Sequence, residues 1–311
     1  MLINLIPILS IILLGYILTK LGFLNDNMSS NLKKIVVNVT LPVGLFSSFI
    51  KIRFELKYIL IFASVYATCV ILFYMGKLIA RVFNIKNRYF PFMLTGFEAG
   101  MIGYTLFAVA YGNDMYSTFG IVDIGQVSFV FTILVPLILG MNITNGSDNK
   151  ASNPLILSAK TALKSPVVWS IVLGLTLSIL GIWRFEDAKI YTIMDSVFNM
   201  ISTPTSFLIC LVIGNGIKFS FKGMKLEIAT SIIRLFLTLI FATIIKQFVL
   251  DKIGMGEIYT KALYIMFILP APFVIPAFME NPSEEDKSYV ANTLSIGTLF
   301  SLIGFIIITS L

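Results

Sequence analysis

Residues 95–112, TGFEAGMIGYTLFAVAYG, form an apolar stretch of membrane-crossing length that is interrupted by Gly96, Gly100 and Gly103 and carries one carboxylate, Glu98. The counterpart is residues 269–281, LPAPFVIPAFMEN, where Pro270, Pro272 and Pro276 break a second apolar run. Backbone groups freed inside lipid are costly unless protein or a water-filled cavity satisfies them. A simple anchor has no use for such interruptions. Two of them, in corresponding halves of a polytopic chain, point to a transport site near the midplane.

The rest of the composition agrees. The chain has 311 residues, 57% hydrophobic and 13% charged, with a mean hydropathy of +0.93. These values exclude a soluble domain of this length and predict an all-α integral membrane protein. The opening MLINLIPILSIILLGYILTK lacks a basic n-region and a small-residue cleavage site, so it reads as a retained first span rather than a signal peptide. Cys69 and Cys210 lie in apolar runs and suggest packing, not a disulfide framework or a thiolate metal site. Histidine is absent, so any proton chemistry falls to carboxylates. No Walker loop, GxSxG, HExxH or Cys/His cluster occurs, so enzyme chemistry, ATP-driven transport and a bound cofactor or metal are not expected.

Apolar runs long enough to cross ~30 Å at about 1.5 Å per residue number ten. They fall near residues 3–19, 35–50, 58–80, 91–110, 117–140, 167–183, 191–214, 228–250, 258–279 and 288–310. Lys and Arg are biased to alternate loops, 14 against 8, with Arg234 inside span eight making up the total of 23. The bias puts both termini outside a plasma membrane and the odd-numbered loops in the cytoplasm. The net charge of +7 is therefore a topology signal and not a nucleic-acid patch.

A polar linker, residues 141–165, separates a first five-span repeat, 1–140, from a second, 166–311. Gly15 and Gly22 in span one match Gly174 and Gly181 in span six. Pro42 in span two matches Pro204 in span seven, and Asp123 and Gln126 in span five match Asn292 and Ser295 in span ten. Because five is odd, the second copy enters the membrane inverted, which suits alternating access.

Glu98, about 10 Å deep in span four at 1.5 Å per residue, is a functional candidate, or else a partner for backbone freed by the break. Gly96, Gly100 and Gly103 share a helical face, suited to close packing or to bare backbone facing a solute. Pro270, Pro272 and Pro276 remove backbone donors and so free carbonyls able to hold a cation. Asp123 and Gln126 are one turn apart, as are Asn292 and Ser295, so the four can line a cavity or bond between helices. Pro42 and Pro204 read as kinks, and Asp195 as a solvated or capping residue near a span end. In the acidic loop before span ten, Asn281 at the edge of the break is the member of interest.

Four segments resemble the auxin efflux carrier family, within the group of ten-helix transporters that includes bile acid:sodium symporters. They are TLPVGLFSSF in span two, GFEAGMIGYTLFAVAYGND across span four, STPTSFLICLVIGNGI in span seven, and LPAPFVIPAFMENPSEEDKSYVANTLSIGTLFSL at the end. The likeness extends over essentially the whole chain. It implies a scaffold domain, a transport domain, and broken spans four and nine crossing at the site of an organic anion such as auxin or a malate-like acid. The chain departs from the family pattern at Glu98, where Asn is usual, and at Thr105, where Pro is usual. An acid in place of an amide brings in proton coupling, cation binding, or a cationic or zwitterionic substrate.

The resulting expectation is a secondary active transporter of a small organic solute, coupled to H⁺, to Na⁺ or to neither. Glu98 would be the coupling carboxylate, Gly100, Gly103, Pro272 and Pro276 would shape the crossing, and Asp123, Gln126, Asn281 and Asn292 would line it. The partners are substrate and lipid, with a homodimer left open. A ligand sensor and a cation/proton antiporter are the alternatives.

Overall fold

The computed structural model describes residues 6–51, 55–143, 163–181, 189–216, 224–279 and 282–310, and every regular element among them is helical. Most of the linker and Asn281 lie outside the described residues. Six helices are long and apolar enough to cross a membrane: α2 (Asn27–Ile50), α3 (Tyr58–Val82), α6 (Asn113–Ile138), α8 (Thr192–Val212), α9 (Lys225–Leu250) and α12 (Glu284–Ser310). Shorter apolar helices are α1 (Ile6–Lys20) and α7 (Pro166–Ile179). The remaining pieces flank the two breaks: α4 (Phe90–Met93) and α5 (Tyr104–Tyr111) around the first, α10 (Glu257–Phe267) and α11 (Val274–Ala277) around the second.

Local chemistry explains where several helices begin. Asn25 accepts the Met28 N–H at 2.9 Å at the start of the helix that becomes α2, and Ser165 accepts from Val168 N–H just before Pro166 opens α7. Both supply an acceptor for an otherwise orphan N–H, and proline suits the first helical position. The 25 residues of α3 reach ~37 Å at 1.5 Å per residue, longer than the ~30 Å hydrocarbon core. Its Lys77 lies over the Phe73 and Tyr74 rings, at 4.8 and 5.7 Å, so the aliphatic stem covers apolar surface while the charge stays on aromatic faces. In the loop before α3, the Lys57 ammonium 2.8 Å from Glu55 holds that carboxyl below its usual range.

The two kink prolines act differently. Pro42 leaves α2 unbroken: the helix widens into a π turn at Val36–Thr40 just before it. Pro204 restarts the helix after Thr203, whose N–H donates to Asn199 O at 2.9 Å. The two sites meet, with Thr205 Oγ1 donating to Thr40 Oγ1 at 2.8 Å between buried side chains.

Helix packing forms two groups. In the first, α1 lies on the second half of α8, which continues to Gly216, and α7 lies on the second half of α2. Small residues sit at both seams: a Cβ on Gly15 or Gly214 would run into the backbone of the facing helix, and one on Gly174 would stand 2.8 Å from Phe49 Cβ. Close backbone approach is how apolar helices associate where burial from water offers no driving force. Gly214→Val is accordingly expected to prise α1 from α8 and to cost about 1–3 kcal/mol, read as a lower Tm of the purified protein in detergent. In the second group, α3 packs on α6, α6 on α10, and α9 on α10 and α12. The two groups touch where α2 meets α6 and α8 meets α5.

Candidate functional site where two helix breaks meet

The first break runs over residues 94–98, followed by a π turn at Ala99–Gly103 that leads into α5. The second runs over residues 268–273, between α10 and α11. They lie against one another. Glu98 N–H donates to Pro270 O at 2.9 Å, and the Glu98 carboxylate accepts the Phe273 N–H at 2.5 Å. Glu98 is 7% exposed, so both bonds are made inside the protein.

The conformation of Gly96 permits this approach. Its φ is +64°, and a Cβ there would stand 2.7 Å from Pro272 Cγ. A glycine is thus required twice, for the left-handed backbone and for space. Gly103 is tight for space alone, since its Cβ would meet Leu269 Cδ1 and Phe119 Cζ at 2.7 Å. Gly100 is looser, with Glu98 Oε1 at 3.6 Å as the nearest atom.

The fate of the freed backbone groups can be followed one by one. Pro272 has no N–H for the Ile268 carbonyl, four residues back, and Ser301 Oγ supplies that donor at 2.6 Å. Phe273 N–H, which a continuous helix would give to Leu269 O, goes to Glu98 instead. Leu269 O is left for Arg234, whose Nε and Nη2 reach it at 3.2 and 3.1 Å. From the first break, Arg234 also takes Met93 O at 3.1 Å, Thr95 O at 3.3 Å and, closest of all, Gly96 O. Its guanidinium carbon lies 5.1 Å from the centroid of the Phe97 ring, which stacks in turn on Phe267 at 4.6 Å. Thr95 Oγ1 donates to Cys69 O at 2.6 Å and fixes the break to α3.

Next to the crossing sits a buried polar group on α6. Asp123, 1% exposed, accepts from Tyr104 Oη on one carboxylate oxygen and from Gln126 Nε2 on the other, each at 3.0 Å. Gln126 Oε1 lies 3.8 Å from where a Cβ on Gly96 would stand and has no hydrogen-bond partner among the described residues. Asp123→Asn would keep one oxygen for Gln126 Nε2 and turn an NH2 toward the Tyr104 hydroxyl, which must then accept and leave its own proton without the carboxylate. The expected loss is about 1–3 kcal/mol, measurable as a fall in Tm.

Glu98, Gly100, Gly103, Pro272, Asp123 and Gln126 therefore gather at or beside the crossing, and Pro270 supplies a carbonyl to it. Pro276 and Asn292 are not drawn in. Pro276 is exposed, Asn292 bonds Ser288 on its own helix at 3.1 Å, and Ser295 is exposed. The sequence match between Asp123/Gln126 and Asn292/Ser295 thus does not become a shared lining: Asp123 and Gln126 face the core, whereas Asn292 and Ser295 bond within α12. Asp195 is neither a cap nor merely solvated, since it pairs with Lys51 at 2.6 Å and so links α8 to the end of α2. Beside that pair, where the two helix groups touch, is a cavity of about 200 Å³ lined by Ser47, Ser48, Lys51, Asp114 and Asn199 among others.

Arg234 escaped the sequence reading, which counted it only as a basic residue inside span eight. The signal was present, because a lone charge deep in a 26-residue apolar helix is expensive unless it has a task.

A family model described as membrane transport protein matches residues 1–309. The uncharacterized transporter YfdV of Escherichia coli is 28% identical over 215 residues, which cover 65% of this chain but only 64% of that relative. An uncharacterized transporter of Methanothermobacter thermautotrophicus is 23% identical over 312 residues, 96% of this chain and 94% of its own length. Multiple apolar helices around two abutting breaks agree with these likenesses. The chain belongs to the membrane transport protein family, the auxin efflux carrier family that its sequence resembles.

Proposed function

We infer that this membrane transporter is a secondary active carrier of a small organic solute, an organic anion in the first instance, working by alternating access in the plasma membrane. The observation that carries this is the mutual bonding of the two breaks through Glu98, Pro270 and Phe273. Broken helices meeting inside a bundle are where transporters hold solute and coupling ion. A purely structural bundle gains nothing from dismantling two helices at one point.

The helix pieces group into ten crossings when α4 is joined with α5 and α10 with α11; an even number puts both termini on one side, and the bias of Lys and Arg between loops makes that the outer one. An inverted five-plus-five repeat is supported by paired details. Gly15 and Gly174 both sit at close helix seams, and Gly22 and Gly181 both take positive φ, +79° and +67°, after the helix ends. The packing of α1 on α8 mirrors that of α7 on α2. On this reading α1, α2, α7 and α8 are the scaffold, and the helices around the crossing are the moving domain. On the same reading the 200 Å³ cavity at the junction, lined by Ser47, Ser48, Lys51 and Asp114, is a polar external vestibule.

The experiment is uptake of labelled organic acids into proteoliposomes, with pH and Na⁺ gradients imposed separately, for the native chain and Glu98→Gln. Uptake driven by a gradient in the native chain, and reduced at least about tenfold by Glu98→Gln, equivalent to ~1.4 kcal/mol of transition-state stabilisation, is the expected result. Binding without accumulation under every gradient would overturn the carrier and leave a ligand sensor. The burial of Asp123 so near Glu98 favours a cation/proton antiporter as the second reading; exchange that survives Asp123→Asn would remove it.

A further inference from the structure

Three features stand out beyond the bonds that join the two breaks: the Lys51–Asp195 pair, the Gln126 Oε1 without a partner among the described residues, and the carbonyl cage around Arg234. The cage is the most fully determined. Arg234 is 4% exposed, and its donors converge on four main-chain oxygens, those of Met93, Thr95, Gly96 and Leu269. Met93 ends α4, and Leu269 lies just past the end of α10. Met93 O and Leu269 O thus lie at or just past the C-terminal ends of α4 and α10, while Thr95 O and Gly96 O belong to the first break itself; carbonyls without a helical partner carry partial negative charge. An all-oxygen set of this kind suits a hard cation, and unwound carbonyls of broken transporter helices are ligands for Na⁺. In this chain the set is filled by the Arg234 guanidinium.

We propose that Arg234 is the built-in cation of the crossing, holding the carbonyl cage in place of Na⁺ and setting which ion the carrier can use. The inference rests on reading the crossing as the transport site and deepens it. With the cage closed to Na⁺, the mobile ion left to the site is H⁺, and Glu98, two residues from Gly96, is the group there able to take it. Arginine fits because its planar fork reaches both breaks at once, whereas a lysine ammonium supplies three donors from a single point. Opening the cage should recreate a site for a free cation of suitable size.

The test uses the purified full chain in detergent, with Tm measured in NaCl and in choline chloride at equal ionic strength, with and without millimolar guanidinium. Native protein is expected to have the same Tm in both salts. Arg234→Gln is expected to lose roughly 5–10 °C, since a buried carbonyl set is left without its cation. It should then recover part of the loss selectively with Na⁺, with guanidinium as the positive control for a refilled cage. A merely structural arginine would lose Tm and recover with guanidinium at most, never with Na⁺. Arg234→Lys should lie between the two and show no response to Na⁺.

A Na⁺-specific rise in the Tm of the native protein would overturn the proposal, as would an Arg234→Gln variant indifferent to Na⁺ or as stable as the native chain. Should Arg234→Gln yield no folded protein in choline chloride, its yield when expressed and purified in NaCl decides: folded protein recovered by Na⁺ supports the idea, and none recovered, or a Na⁺ response of the native chain, sinks it. No substrate is needed for these readouts. Failed uptake in proteoliposomes would count against the transport reading and leave the cage result standing.

Discussion

Gly96→Ala is expected to be among the most damaging single-methyl substitutions in this protein, lowering stability by about 2–5 kcal/mol. That range joins two separate penalties. A residue with a Cβ held in the left-handed region costs about 1–2 kcal/mol, and Gly96 has φ +64°. Overpacking adds about 1–3 kcal/mol, because the new methyl would stand 2.7 Å from Pro272 Cγ. Pro272 has little room to give. Its ring is rigid, and its neighbours Pro270 and Phe273 are both tied to Glu98. Gly100→Ala is the matched control, since its added Cβ would meet Glu98 Oε1 at an ordinary 3.6 Å. Thermal unfolding of the two variants in detergent should separate them clearly. Equal Tm values would mean that the breaks do not approach as closely as described.

Glu98→Ala is expected to damage both folding and transport, and comparison with Glu98→Gln divides the two effects. The carboxylate accepts the Phe273 N–H at 2.5 Å in a buried setting. Removing that acceptor leaves the N–H unsatisfied, at about 1–3 kcal/mol, and loosens the attachment of α11 to the first break. Glutamine keeps an acceptor oxygen at the same reach, so Glu98→Gln should retain most of the stability while losing the ability to exchange a proton. The predicted pattern is a large Tm fall for Glu98→Ala, a small one for Glu98→Gln, and loss of pH-driven uptake in both. If Glu98→Gln transports like the native chain under a pH gradient, Glu98 is a clasp between the breaks and the coupling group lies elsewhere. Asp123 would then be next to test.

The two roles of Glu98 show how far a linear reading reaches. Glycines, prolines and one carboxylate inside apolar runs mark both breaks without any structure, because such residues are costly in lipid unless used. The same logic locates Asp123 and Gln126, a turn apart on one helix face. It went astray at Asn292 and Ser295, where a plausible offset between repeats did not foretell which way α12 faces. Helical period says which residues share a face, but rotation about the helix axis is set by neighbours far away in sequence.

The sequence alone determined that the chain is helical and membrane-embedded, where its apolar segments run, and where two of them are interrupted. These follow from composition, the 1.5 Å rise and the price of bare backbone in lipid. Only the tertiary structure decided that the interruptions meet, that Glu98 bonds Pro270 and Phe273 across 172 and 175 positions, and that Arg234 closes the carbonyls of both. Contacts at that separation depend on how whole helices pack. No local pattern encodes which freed carbonyl a distant guanidinium will take.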